Sequence, residues 1–192
     1  MLLRTLLRAT PDIRGNALNK LFAALLLAGL TFSIPISAHA AGKPSRFSQA
    51  TATSQEIGDR YFAAYIARNW DAIEPLIADN ASFQDGTAEL VFGGVLRQGK
   101  PAMMKLFREG YANVQYMRFE RARSFYSSNY AIYEGTLDWA LDMGDGQIVK
   151  TKMPFTTILR IENGKVTKHR DYADYRPFTA AVKAMRESDK RG

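Results

Sequence analysis

The sequence predicts an α+β fold in which helices come first and a curved antiparallel sheet follows. Three observations carry this. Ile57, Tyr61, Phe62, Tyr65 and Ile66 recur at helical spacing. Between Ile148 and Ile161 apolar and charged residues alternate instead, the period of a strand with one buried face. Met143-Gly144-Asp145-Gly146 and Glu162-Asn163-Gly164 then mark hairpin turns between strand-like runs.

The chain of 192 residues opens on a leader. Arg4, Arg8, Arg14 and Lys20 stand against a single acid, Asp12, and an apolar run follows from Leu21 to Ile36. Ala38-His39-Ala40 closes it with small residues around one larger one. A charged start, an apolar middle and an A-x-A site in that order read as a cleavable export signal over 1–40, cut after Ala40. The apolar run is short for a bilayer span of about 20 residues, so no stable membrane insertion is expected after cleavage. The mature chain is expected in the periplasm or outside the cell.

The whole chain has a formal charge of +7, and the leader carries a net three of those positive charges. The remaining cations are interspersed with acids, as in the run Arg118, Glu120, Arg121, Arg123. That pattern reads as a solvated strand face, and no nucleic-acid partner is expected. There is no cysteine, which excludes disulfides and thiol chemistry.

Residues 41–54 are small and polar and read as a flexible linker. A helix opens near Ser54-Gln55. A second helical piece starts at Asn69 and carries Trp70, Ile73, Leu76 and Ile77, with Pro75 bending it. Ala81–Asp85 reads as a short strand entering a Gly-rich loop. Lys100-Pro101 starts a third helix, with proline where its missing N–H costs little. Strands follow over about 116–126, 130–141, 148–161 and 165–173. A C-terminal helix includes Phe178, Val182 and Met185, with 179–192 closing the chain beyond a domain of 55–178. Val149, Met153, Phe155, Leu159 and Ile161 share one face of the third of these strands with Thr157, and Lys150, Lys152 and Arg160 share the other. The first face should meet the helices. A curved sheet closed by helices leaves a cone open at one end, where a small ligand would sit.

The stretch Leu76–Asp85 resembles the helix-to-strand signature of the nuclear transport factor 2-like superfamily, as does Gly99 followed by Lys100–Phe107. The ending Arg160–Val166 and then His169-Arg170-Asp171-Tyr172-Ala173-Asp174 resembles the closing hairpin of its SnoaL-like polyketide-cyclase branch, related to ketosteroid isomerase and limonene epoxide hydrolase. The resemblance implies a cystatin-like α+β cone with a pocket, often a homodimer through the outer face of the sheet. It does not fix one activity, because the fold carries many.

The resemblance to steroid isomerases puts Asp85 at the general-base position and Tyr61 at the oxyanion tyrosine. Asp85 before Gly86 also fits a simple turn cap, and Tyr61 also fits a core tyrosine. A second oxyanion acid of that pattern is replaced by Thr157, and a third tyrosine by Phe107. His169 and Asp171 lie two apart on a strand and so share a face. An imidazole there could shuttle a proton at neutral pH; a surface histidine between Lys168 and Arg170 is the plainer reading. Asp138 and Asp171 match two acids of the epoxide hydrolase pattern, whose arginine is replaced by Thr136. Asp138 lies on the strand face opposite Tyr133, Leu137, Trp139 and Leu141. Phe83, Phe107, Trp139, Phe155 and Thr157 are the expected ligand-contacting residues. No metal site is expected from one histidine and scattered acids. There is no phosphate-binding loop, dinucleotide fingerprint or serine elbow, so no cofactor is expected. The expected partner is a small hydrophobic oxygenated molecule, treated by isomerase, cyclase, dehydratase or hydrolase acid–base chemistry. A non-catalytic module of the same fold, binding a hydrophobic ligand or dimerising, is the alternative.

Overall fold

A computed structural model describes residues 43–144 and 146–190. The expected export signal, 1–40, lies outside the described residues. The element order is α1 (Arg46–Ile66), α2 (Trp70–Ile73), β1 (Ile77–Asp85), α3 (Glu89–Phe92), β2 (Val95–Gln98), α4 (Lys100–Lys105), β3 (Val114–Ser127), β4 (Tyr130–Asp142), β5 (Ile148–Glu162), β6 (Lys165–Ala173) and α5 (Arg176–Asp189). The six strands form one open sheet in the order β2-β1-β6-β5-β4-β3. The predicted α+β class with helices on one face of a curved sheet is what the chain adopts.

Several local expectations need correction. The 41–54 segment is not a loose linker throughout: α1 begins at Arg46, capped by Ser45, whose hydroxyl accepts from the Ser48 N–H at 3.1 Å. The second helical piece ends early. A 3₁₀ turn at Glu74–Leu76 carries Pro75, and Ile77 already belongs to β1. The sheet is also not antiparallel throughout, because β1 pairs with β6 in parallel, Phe83 opposite His169 and Asp85 opposite Asp171. The other four pairings are antiparallel. The C-terminal helix, expected to include Phe178, Val182 and Met185, contains all three and starts at Arg176.

The predicted facing of β5 holds. Val149, Thr151, Met153, Phe155, Thr157, Leu159 and Ile161 are buried, and the residues alternating with them point away from the core. Helix α1 crosses this inner face and buries Tyr61, Phe62 and Tyr65 against it. Phe62 stacks on Tyr133 of β4 at 4.2 Å between centroids, with the rings 1° from parallel. Gly58 lets the helix come that close: a Cβ there would stand 2.6 Å from the Ala131 Cβ and 2.7 Å from the Tyr133 hydroxyl. At the β5–β6 hairpin Asn163 and Gly164 take φ of 51° and 71°, the left-handed pair a two-residue turn requires. Among the described residues no helix is long and apolar enough to cross a membrane.

Candidate functional site

Strand parity decides which side chains meet beneath α1. On β6 the inward positions include His169, Asp171 and Ala173; on β5 Thr157 stands directly opposite Asp171. Helix α1 contributes Tyr61 and Tyr65, four residues apart and therefore on one face. The five polar side chains are all buried, at 1% exposure or less.

They form one hydrogen-bonded chain. The Tyr61 hydroxyl lies 2.9 Å from His169 Nδ1, and His169 Nε2 lies 2.8 Å from Asp171 Oδ1. Thr157 donates to the same oxygen at 2.6 Å, and Tyr65 donates to Asp171 Oδ2 at 2.8 Å. Tyr111 continues the chain, its hydroxyl 2.6 Å from that of Tyr65. The neutral imidazole tautomer that satisfies every group carries its proton on Nε2 toward Asp171 and accepts from Tyr61 at Nδ1. The rings of Tyr61, Tyr65 and Phe83 meet the imidazole edge-on at 4.7–5.4 Å between centroids. Burial, and next the Asp171 charge, hold the Tyr61 and Tyr65 phenols well above the usual phenol range. Burial and the same carboxylate push Tyr111 up as well. These phenols act as hydrogen-bonding groups and not as bases.

Asp85 stands apart from this chain. Its Oδ1 accepts from the Thr87 N–H at 2.9 Å, the Thr87 hydroxyl at 2.9 Å and the Ala88 N–H at 3.0 Å. Its Oδ2 accepts from the Tyr175 hydroxyl at 2.5 Å. Thr87 also accepts from the Ala173 N–H at 2.7 Å, which ties the turn after β1 to the end of β6. Asp85 is therefore a turn cap that also faces a cavity. That cavity, of ≈ 290 Å³, has apolar walls from Phe83, Phe92, Val95, Leu106, Val114 and Leu141. Its polar lining is Asp85, Tyr111, Tyr175 and Arg97. A shallower groove of ≈ 600 Å³ runs between α3 and α5 and touches none of the buried chain.

The expected site residues thus fall into three groups. Tyr61, Thr157, His169 and Asp171 come together in the core. Asp85 and Phe83 line the cavity, joined to the core group through Tyr111. Phe107 is fully buried, stacked on Trp70 at 5.3 Å and packed on the cavity residues Phe83 and Tyr111, and does not itself line the cavity. Phe155 and Trp139 are core residues, packed on Phe119 and Phe178 respectively, and neither lines the cavity. Asp138 does not join at all. It lies on the outer face, accepting from Tyr116 at 3.0 Å and 3.8 Å from the Lys152 ammonium, because β4 turns Tyr133, Leu137 and Trp139 inward and the residues between them outward. His169 is a core residue and not a surface one.

Tyr65, Thr87, Arg97, Tyr111 and Tyr175 were not legible as site residues. The Tyr61/Tyr65 spacing on one helix face was a usable signal for Tyr65. Tyr111 follows a π turn over Leu106–Gly110, and Tyr175 sits at the start of α5, where no periodicity operates. Among the described residues no group of three or more His, Asp or Glu is placed to hold a metal ion.

No functionally curated protein matches the sequence. Solved structures match the fold. A candidate SnoaL-like polyketide cyclase from Shewanella putrefaciens has a TM-score of 0.60 at 17% identity, over 68% of this chain and 96% of that one. One from Shewanella denitrificans has 0.61 at 15%, over 68% and 97%. A ketosteroid isomerase-like protein from Catenulispora acidiphila, solved in complex with trimethylamine, has 0.55 at 17%, over 67% and 92%. The sequence profile of the SnoaL-like domain matches residues 59–169, from α1 to the buried histidine of β6. The chain belongs to the SnoaL-like family.

Proposed function

We propose that this protein holds a small, largely apolar, oxygenated molecule in the cavity beside Asp85 and transforms it by cofactor-free acid–base chemistry. Isomerisation, cyclisation, dehydration and water addition all need a base at carbon or water, and Asp85 takes that role. The observation that carries the reading is the placement of one carboxylate in an apolar-walled cavity, next to a phenol tied to the buried Asp171. Tyr61, Thr157 and His169 act at a distance: they fix Asp171, which fixes Tyr65, which orients Tyr111. Native mass spectrometry of the purified protein, followed by turnover assays on whatever co-purifies, tests this. Asp85→Asn should lower turnover by about 10²-fold or more. Thr87→Ala loosens the same turn and keeps the base, so it should retain most activity. Wild-type turnover in Asp85→Asn would reject the assignment.

One observation favours a second reading, a non-catalytic ligand-binding module of the same fold. Both Asp85 oxygens already accept hydrogen bonds from the protein, four in all. In that case Asp85→Asn changes ligand affinity and no reaction is found.

Two expectations complete the proposal. Phe125, Tyr130 and Tyr172 are exposed on the outer face of the sheet, at 48%, 43% and 40%, and support a homodimer through it; light scattering on the eluting protein checks the mass. Export with cleavage after Ala40 predicts a mature chain starting at Ala41, checked by intact mass of the secreted or periplasmic fraction.

A further inference from the structure

The cavity's hydrogen-bonding protons can be counted. Tyr175 has one, and it goes to Asp85 Oδ2. Tyr65 has one, and it goes to Asp171 Oδ2, so the Tyr65 oxygen can only accept from Tyr111. The Tyr111 proton is thereby spent inside the wall. Asp85 accepts four hydrogen bonds and donates none. Among the side chains that line the cavity, one donor is left: the Arg97 guanidinium.

Arg97 is also placed against the usual pattern. On β2 it stands opposite Phe83, and Val95 stands opposite Asp85, so Arg97 shares the concave face with both cavity residues. Leu96, its neighbour, points the other way and is 50% exposed. Arg97 lines the cavity while itself remaining exposed to water, and Leu96 faces the other side of the strand. One guanidinium N–H reaches the Leu96 carbonyl at 2.8 Å. Among the described residues no carboxylate pairs with it, and a guanidinium carries five donors in a planar fork suited to a carboxylate.

We infer that Arg97 is the specificity residue of this cavity and that the ligand is a small apolar molecule ending in a carboxylate. The inference rests on the cavity being the ligand site, as proposed above. The carboxylate pairs with Arg97 on β2, the apolar body lies along Phe83 and Val95, and the far end meets Asp85 and Tyr111. An inward charge on an edge strand also discourages edge-to-edge association. That role needs no ligand and gives no preference for an acid over its amide.

The test is equilibrium binding of a matched probe pair, 2-naphthoate and 2-naphthamide, by calorimetry at neutral pH. The wild type should bind the acid about tenfold or more tightly than the amide, the scale of one charge-assisted hydrogen bond. Added salt should narrow the gap. Arg97→Gln should erase the preference and leave the unfolding midpoint unchanged, and Arg97→Lys, which keeps the charge and loses the fork, should fall between. Asp85→Asn should keep the preference. Equal binding of acid and amide, binding of neither, or a preference that survives in Arg97→Gln overturns the inference. Failure of the catalytic reading looks different: the acid preference stands while Asp85→Asn leaves turnover unchanged.

Discussion

Replacing Asp171 by asparagine probes the buried chain most directly. The carboxylate is 1% exposed and accepts from Thr157, His169 and Tyr65. Each bond to a buried charged group is worth about 1.5–3 kcal/mol net. An amide of the same shape keeps one oxygen for Thr157 and His169 and offers an N–H₂ to Tyr65. Tyr65 can answer by reversing: it accepts from the amide and donates to Tyr111. One amide N–H is left without an acceptor and the Tyr111 proton turns from Tyr65 toward the cavity, while one buried charge is removed. The expected loss is therefore only about 1–3 kcal/mol, a fraction of the roughly 5–15 kcal/mol stability of an ordinary domain. Asp171→Leu has no such escape. It leaves Thr157 and His169 without an acceptor and should cost about 1–3 kcal/mol for each stranded group. Urea unfolding followed by tryptophan fluorescence, with unchanged m-values, measures both. The reversal itself is tested by Tyr65→Phe on each background. In the wild type Tyr65→Phe removes a charge-assisted bond, and in the Asp171→Asn background it removes a neutral one. The cycle should show coupling of about 1–2 kcal/mol. Additivity within about 0.5 kcal/mol, or an Asp171→Asn cost equal to that of Asp171→Leu, would refute this arrangement of protons around Asp171.

Other consequences can be measured independently. Gly135→Ala should destabilise by roughly 1–3 kcal/mol, because its Cβ would stand 2.1 Å from the Glu120 carbonyl oxygen, a backbone atom that cannot swing aside; an unchanged urea midpoint rejects this. The phenols of Tyr61, Tyr65, Tyr111, Tyr133 and Tyr175 are raised above the ordinary 10.0. Their contribution to stability is full below that pH and is lost as pH rises beyond it, since only the unfolded chain can then ionise them. Phenolate absorbance of the folded protein should stop short of the amplitude for nine tyrosines until unfolding; full amplitude while the fold persists contradicts it. Asp174 is held at about 2, below its ordinary 3.8, by hydrogen bonds from Arg176. Its contribution is present above 3.8 and is lost as pH falls toward 2. Carbon NMR should show Asp174 titrating closer to 3.8 in Arg176→Ala, and no movement would mean the pair is not formed.

The sheet was legible because its strands are long and half-buried: β5 alternates over fifteen residues, and turn residues bracket it. What was missed has a physical reason in each case. The first turns of α1 are held by polar contacts, the Ser54 hydroxyl on the Ser128 carbonyl at 2.7 Å and the Ser128 N–H on the Thr51 hydroxyl at 2.8 Å. A helix without an apolar stripe there leaves no periodic signal. Strand β2 is four residues long and exists because β1 pairs with it. The parallel β1–β6 register joins segments some ninety residues apart, which no local pattern encodes. In the site, alternation put Thr157 on the inner face of β5 and put His169 and Asp171 on one shared face of β6, but the charged neighbours Lys168 and Arg170 made that histidine read as a surface residue, and it is buried. Asp85 is the turn cap its sequence allowed, and it also lines the cavity. Asp138 failed because the apolar alternation of β4 outweighs a family position.

The parallel register explains the division of labour between the two acids. Asp85 and Asp171 are direct partners on neighbouring strands and both face inward. Two carboxylates so placed repel unless each is separately supplied with donors. Asp171 draws its donors from α1, β5 and β6; Asp85 draws its own from the turn after β1 and from Tyr175. The two sets share no residue, and among the described residues Tyr111 is the one hydroxyl that both touches the first set and lines the cavity. Neutral donors can satisfy both acids, but they leave the cavity wall rich in lone pairs and poor in protons. A wall of that kind selects against a ligand that offers only oxygens, unless a donor is supplied from elsewhere. The edge strand β2 supplies one, and its placement beside a carboxylate that already has four partners is what makes Arg97 free to meet a ligand instead of Asp85.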